Sequence, residues 1–173
     1  PVQGVVNEVI DLGGAAPGSP AVGAGGVFVG SFASTVEFVQ PNGRHEAVAK
    51  AGNWIWGTPS IDGETLYYAD LDGIVYSLDL ASGNQNWDAQ PDGPVVASLL
   101  IVGDQIYVAT ESGSFFALDR DGKIVWEKTP GGKIYTSPVL SGDLILVAPY
   151  QADFALAAFD AEGKQAWTFA PEK

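Results

Sequence analysis

The sequence predicts an all-β fold, a β-propeller of four-stranded antiparallel blades, and three observations carry that prediction. Short runs of β-branched and aromatic residues are punctuated by Gly, Asp, Asn and Pro about every ten residues, as expected of strands joined by tight turns. No apolar period of 3.6 residues is sustained, and no helix cap precedes one. The pattern also repeats: Ser19, Thr58, Ser98 and Ser137 occupy matching positions 39, 40 and 39 residues apart. Four short strands in about forty residues is the arithmetic of a propeller blade, whereas a plain sandwich needs no such repeat. A lone blade leaves both faces of its sheet uncovered, so blades must stack on one another.

The elements follow in order. Residues 3–11 occupy the place of an outermost strand left over from a preceding blade, with Glu8 where that blade's tryptophan would stand. Four repeats then run over about 13–52, 53–92, 93–131 and 132–170, making residues 1–173 one propeller segment of four blades plus one extra strand. After each mark comes a turn and an apolar strand: Val27-Phe28-Val29, Leu66-Tyr67-Tyr68, Ile106-Tyr107-Val108 and Leu144-Ile145-Leu146-Val147. A third strand follows at Val36-Glu37-Phe38, Val75 to Leu78, Phe115 to Leu118 and Phe154 to Phe159. Each unit then turns at Gly43, Gly83, Gly122 or Gly163, and four residues later stands Ala47, Trp87, Trp126 or Trp167. These glycines suit the positive φ of a tight hairpin. Asp79, Asp119 and Asp160 suit the same turns, because a carboxylate there accepts nearby backbone N–H groups.

Composition bounds the function. The chain has 173 residues, 46% of them hydrophobic, with 22 Gly and 11 Pro, so it is globular and turn-rich rather than disordered. A formal net charge of −13 disfavours nucleic acid and anionic lipid as partners. There is no Cys, so neither disulfides nor thiolate metal sites form within this chain. The longest apolar runs are strand-length, and no membrane insertion is expected. The chain opens on Pro1 and contains no Met, which reads as a mature, excised or incompletely represented polypeptide.

The run Tyr76-Ser77-Leu78-Asp79-Leu80-Ala81-Ser82-Gly83-Asn84-Gln85-Asn86-Trp87 resembles the repeat of PQQ-like propellers, Ala-Leu-Asp-x-x-Thr-Gly-x-x-x-Trp. Residues 117–126 and 158–167 match it with one residue fewer, and the resemblance covers roughly residues 13–170. The family includes quinoprotein alcohol dehydrogenases and the propeller lipoprotein of the outer-membrane barrel-assembly machinery. The resemblance implies that Trp87, Trp126 and Trp167 dock between adjacent blades, that the intact ring has seven or eight blades, and that the protein is extracytoplasmic. The first unit departs from the pattern at Phe38-Val39-Gln40 and at Ala47, with Trp54 or Trp56 placed to compensate. An isolated half ring would expose two apolar blade faces, so more of the same polypeptide or a second copy is expected to complete the ring.

Candidate chemistry is sparse. The single His45 lies in a polar turn and builds no serine–histidine or His-cluster site within one chain. Gly23-Ala24-Gly25-Gly26 leads into a strand and reads as a hairpin turn rather than a dinucleotide loop. Asp70-Leu71-Asp72-Gly73 begins like a calcium loop but lacks the later ligands. No catalytic, cofactor or metal residues are assigned. The expected function is a non-enzymatic scaffold that binds a protein partner. A segment of a quinoprotein oxidoreductase whose cofactor site lies outside this chain is the alternative, and a carbohydrate-binding propeller using Trp54 or Tyr150 is a further one. In a propeller the connections between second and third strands, and those between blades, emerge on one face. Here they hold Asn53, Trp54, Trp56, Asp70, Asp72, Glu111, Lys133, Tyr135, Tyr150 and Asp153. Trp54, Trp56, Tyr135 and Tyr150 are the candidate recognition surface, because aromatics are enriched at protein interfaces. Trp56, two residues before Thr58, also suits an inner-strand core position. The opposite face collects Asp62, Glu64, Asp79, Asp104, Asp119, Asp121, Asp143, Asp160 and Glu162, nine of the 21 acids. Solvation is the plain reading of that charge, and attraction of a basic partner the sharper one.

Overall fold

The computed structural model describes residues 9–171. Four antiparallel four-stranded sheets follow one another along the chain. The first is β1 (Ala21–Gly23), β2 (Gly26–Gly30), β3 (Thr35–Val39) and β4 (His45–Lys50); the second is β5 (Ser60–Asp62), β6 (Thr65–Ala69), β7 (Val75–Asp79) and β8 (Gln85–Ala89). The third is β9 (Leu100–Val102), β10 (Gln105–Ala109), β11 (Phe115–Leu118) and β12 (Ile124–Lys128). The fourth is β14 (Val139–Ser141), β15 (Leu144–Val147), β17 (Leu156–Phe159) and β18 (Gln165–Phe169), beside a short pair of β13 (Lys133–Ile134) with β16 (Pro149–Tyr150). Each sheet pairs its strands in sequence order, and among the described residues there is no helix. The extra strand expected over 3–11 falls mainly outside the described residues, and residues 9–11 are not in a strand.

The blades carry their cores between them. Strand alternation sends one set of side chains toward the blade before and the other toward the blade after. Phe28, Val36 and Ala49 of blade one thus meet Ile55, Leu66, Tyr68, Tyr76 and Leu78 of blade two. Tyr67, Ala69 and Val75 of blade two meet Val95, Leu99, Ile106, Val108, Phe116 and Leu118 of blade three. Tyr107, Phe115, Ala117 and Trp126 meet Ile134, Ile145, Val147, Ala157 and Phe159 of blade four.

The repeat marks join the blades near the innermost strands. The Thr58 hydroxyl accepts from the Ser19 N–H at 3.0 Å, the Ser98 hydroxyl from the Thr58 N–H at 2.9 Å, and the Ser137 hydroxyl from the Ser98 N–H at 2.9 Å. A hydroxyl oxygen two bonds from the Cα reaches the next blade's N–H, where an apolar side chain of equal size could not bond. A second series of rungs runs alongside: the N–H groups of buried Ile55, Val95 and Ile134 donate to the carbonyls of Ser31, Asp70 and Thr110.

At the outer edge, the Trp87 indole donates to the Arg120 carbonyl at 2.7 Å and the Trp126 indole to the Ala161 carbonyl at 2.8 Å. Each ring lies flat against the turn glycine of the next blade. A Cβ on Gly122 would fall 2.7 Å from Trp87, and one on Gly163 would fall 2.7 Å from Trp126. With φ of +80° and +77°, these glycines serve the hairpin and the neighbour at once. Trp167 has the same place in blade four but is 41% exposed, because no further blade follows it among the described residues. Gly83 also has positive φ, yet nothing packs within 4 Å of its Cβ position, because blade one offers Ala47 there. Neither Trp54 nor Trp56 fills that gap. Phe38 sits across from Phe28 in the row that holds Ser77 in blade two and Ala117 in blade three, and the β-bulge of blade one lies two residues earlier on the third strand. The Phe28 and Phe38 rings lie 4.7 Å apart against the core between blades one and two.

Candidate protein-binding face

The connections between blades alternate outward, inward, outward. In 51–59 the middle residue Ile55 is buried at 1% exposure, while Trp54 and Trp56 are 47% and 43% exposed. Trp56 is therefore not an inner-strand core residue; Ile55 takes that role one position earlier. Buried Val95 and Ile134 repeat it, which places Pro94 and Val96, then Lys133 and Tyr135, in register with Trp54 and Trp56.

The turns between second and third strands complete the same face. Their first residues, Ser31, Asp70 and Thr110, are fully buried polar anchors, so Asp70 is not part of the exposed surface. Its Oδ2 accepts from the Gly52 and Asn53 N–H groups and the Tyr76 hydroxyl, and its Oδ1 from the Asp72 and Ile74 N–H groups. Both oxygens are committed to shaping the turn and holding the 51–59 connection beside it. The Tyr76 hydroxyl is pushed up to about 12 by burial, with the Asp70 carboxylate adding to the rise. Tyr68, stacked on Tyr76 at 4.7 Å, is raised as well by burial.

The residues after these anchors, Phe32, Leu71 and Glu111, join the exposed Trp54–Trp56 and Lys133–Tyr135 pairs and the half-buried Pro94–Val96 pair into one band. Phe32 stacks on Trp54 at 4.6 Å and lies 5.1 Å from Trp56. Trp56, Leu71, Pro94, Val96, Glu111 and Tyr135 then line an apolar cleft of about 540 Å³. At its far wall, Lys133 Nζ donates to Glu111 Oε1 at 2.7 Å, and the Tyr135 hydroxyl donates to the same oxygen at 3.2 Å. The bond from Lys133 holds the Glu111 carboxyl below the usual range, and the reciprocal contact raises Lys133. Tyr150 closes the band with its ring 6.0 Å from Tyr135. Asn53 donates to Asp72 at 2.7 Å and its own side-chain oxygen accepts from the Trp54 N–H, fixing the loop under the tryptophans.

The structure therefore brings Trp54, Trp56, Tyr135 and Tyr150 onto one surface and adds Phe32, Leu71, Pro94 and Val96, which single-residue reasoning passed over. The repeat points to Val96, which like Trp56 and Tyr135 stands two residues before a mark.

The opposite face is built of turns that consume their acids. Asp79 Oδ1 accepts from the Ser82 N–H and hydroxyl, which lower its pKa; Asp119 accepts from the Asp121 and Lys123 N–H groups, and Asp160 from Lys164. Cations interrupt the negative field: Lys123 pairs with Asp121 at 3.3 Å, and Arg120 is bonded more extensively. Arg120 reaches back from blade three to Asp62 at 2.6 Å, to the Tyr67 hydroxyl at 3.1 Å and to the Gly103 carbonyl. Burial opposes its charge, but the bonds to Tyr67 and Asp62 raise its pKa on balance. Among the described residues, no cluster of His, Asp and Glu has the geometry of a metal site.

These features agree with the comparisons to known proteins. The family described as outer membrane protein assembly factor BamB matches residues 5–89 and again 72–173. The outer membrane protein assembly factor BamB of Bordetella pertussis (strain Tohama I) is 35% identical over 74 residues, which is 43% of this chain and 19% of that protein. The crystal structure of BamB from Moraxella catarrhalis superposes with a TM-score of 0.77 at 24% identity, over 90% of this chain and 49% of that one. The computationally designed Ika8 protein superposes at 0.73 and 14% identity, over 86% and 47%. The chain thus spans about a fifth of the matched curated relative and about half of the solved chains. With its propeller blades, its Trp-on-Gly joints and a match along nearly its whole length, this chain belongs to the BamB family of PQQ-like repeat propellers.

Proposed function

We propose that this chain is a non-enzymatic scaffold of outer-membrane protein assembly, working on the periplasmic side, and that it grips a protein partner through the band from Phe32 to Tyr150. One observation carries the reading: exposed Trp54, Trp56, Tyr135 and Tyr150 are joined by half-buried Phe32, Leu71, Pro94 and Val96 in a continuous line, although each connection between blades also has a buried residue available for the core. An apolar cleft walled by a tyrosine and an ion pair suits an aliphatic or aromatic anchor with a polar group beside it. The family's assembly role supports both the kind of partner and the compartment. Further blades at the open ends of the arc would keep this band continuous around a ring.

Site-specific photo-crosslinking tests the assignment. A photoreactive residue at Trp54, Trp56, Tyr135 or Tyr150 is expected to capture purified components of the barrel-assembly machinery, whereas one at Asp121 or Glu162 is not. Capture from the acidic turns alone would place the partner on the wrong face for this proposal.

A further inference from the structure

We infer that the cleft between blades two and three, on the face away from the aromatic band, binds a neutral sugar ring, either free or at the end of a glycan. Both of its walls belong to the two middle blades of this chain. Thr65, Tyr67, Ser77 and Asn86 of blade two, with Arg120 and Asp121 of blade three, surround about 510 Å³ beside the half-buried Trp87 indole. That volume falls within the ~300–1,000 Å³ of small-molecule sites.

The repeat shows that packing alone does not require these residues. In the joint between blades three and four, Gln105 and Tyr107 stand where Thr65 and Tyr67 do, but Ala117, Val125 and Ala161 replace Ser77, Asn86 and Arg120. In the joint between blades one and two, Phe38 takes the place of Ser77. Trp87 and Trp126 nonetheless dock on a glycine and donate to a carbonyl in the same way. The polar set is an addition made at the middle joint.

Two of its hydroxyls are deeply buried and only half used. Ser77 is 1% exposed and its Oγ accepts from the Asn86 amide at 3.2 Å; Tyr67 is 3% exposed and its hydroxyl accepts from Arg120 Nη1 at 3.1 Å. Neither hydroxyl hydrogen has an acceptor among the described residues. In the next joint, by contrast, the Tyr107 hydroxyl donates to the Gln105 side chain at 2.6 Å. A buried donor without an acceptor is costly, so these two O–H groups call for oxygens supplied from the cleft. Arg120 has five N–H donors against three partners, Tyr67, Asp62 and the Gly103 carbonyl. The Asn86 side-chain oxygen and the exposed Asp121 carboxylate add acceptors. A sugar hydroxyl both donates and accepts, and the C–H groups of a pyranose suit an indole wall. An anion would bring no donors and would meet Asp62, Asp121 and a net charge of −13.

Protein-observed NMR tests this on the purified protein, following the Trp87 indole N–H and the Asn86 side-chain amide. The probes are the methyl glycosides of glucose, galactose, mannose and N-acetylglucosamine, with glucose 6-phosphate as the anionic counterpart. At least one neutral glycoside is expected to shift both signals at millimolar concentration. Tighter binding of the tetrasaccharide of that sugar assigns the site to a glycan end, and equal or weaker binding to free sugar. Ser77→Ala and Asn86→Val install the residues that blade three carries, so the thermal transition should hold while each weakens glycoside binding about fivefold or more. The mapping on the unaltered protein stands without the variants. No shift with any of the four glycosides, a shift with the phosphate alone, shifts confined to residues outside the cleft, or binding untouched by both substitutions would each overturn the inference.

Discussion

Trp126 and Trp56 are the same residue type in adjoining repeats, put to opposite uses. Trp126 is 9% exposed, lies on Gly163, touches Tyr107, Phe115 and Phe159, and spends its N–H on a carbonyl of the next blade. Trp56 is 43% exposed, leans on Phe32, and forms one wall of an apolar cleft. The difference lies in position within the repeat rather than in chemistry. An outer-strand site faces the neighbouring blade, whereas a site two residues before a mark faces out of the ring plane. Removing the first should damage the fold and spare the surface, and removing the second should do the reverse.

The sharpest break in that comparison is Trp126→Ala, which opens a cavity between blades three and four and should cost about 3–5 kcal/mol by urea denaturation. Trp56→Ala should stay within about 0.5 kcal/mol in the same assay. Next in size is the partner glycine. Gly163→Ala puts a Cβ into Trp126 and strains a left-handed φ, so a loss of about 2–3 kcal/mol is expected. Gly83→Ala carries only the φ strain, because no tryptophan lies on it, and should cost about 1 kcal/mol. Equal losses at the two glycines would show that the docked ring adds nothing.

Smaller effects belong to the inner joints. Ser98→Ala removes the acceptor for the Thr58 N–H and should cost about 1 kcal/mol. The joint between blades one and two, which lacks a docked tryptophan, should be the one that alkali loosens. Tyr76 and Tyr68 lie in its core with pKa values raised above the unfolded value of 10.0. Their neutral forms are favoured in the fold, so this contribution is intact below pH 10 and is lost as pH climbs toward and through about 12. Ultraviolet titration of tyrosinate, followed alongside unfolding, should show late ionisation coupled to loss of structure; Tyr76→Phe should flatten that coupling.

The fold was legible because blade architecture repeats. Gly, Trp and the mark hydroxyls recur at fixed spacing, and Trp87 on Gly122, Trp126 on Gly163 and the hydroxyls of Thr58, Ser98 and Ser137 turn out to be contacts between blades. What escaped notice depends on pairing geometry. Phe38 packs on Phe28 from the strand beside Ala47, where the other blades have Ser77 and Ala117, and no composition rule reports that. Asp70 looked like a surface carboxylate because Asp-Leu-Asp-Gly is a turn sequence. Its burial comes from the connection folded back over it, a contact across 17 and 18 residues. The exposed band was half visible: its aromatics stood out by type, but Leu71, Pro94 and Val96 join it through register alone.

The central claim, that the Phe32–Tyr150 band is the partner-binding face, reduces to one measurement. Calorimetric titration of purified barrel-assembly components should compare the native chain with Trp56→Ala and with Asp121→Lys on the opposite face. The account predicts that Trp56→Ala weakens binding by about 30-fold or more, a loss of about 2 kcal/mol, while Asp121→Lys leaves the affinity unchanged. Undiminished binding by Trp56→Ala, with loss on Asp121→Lys, would contradict it.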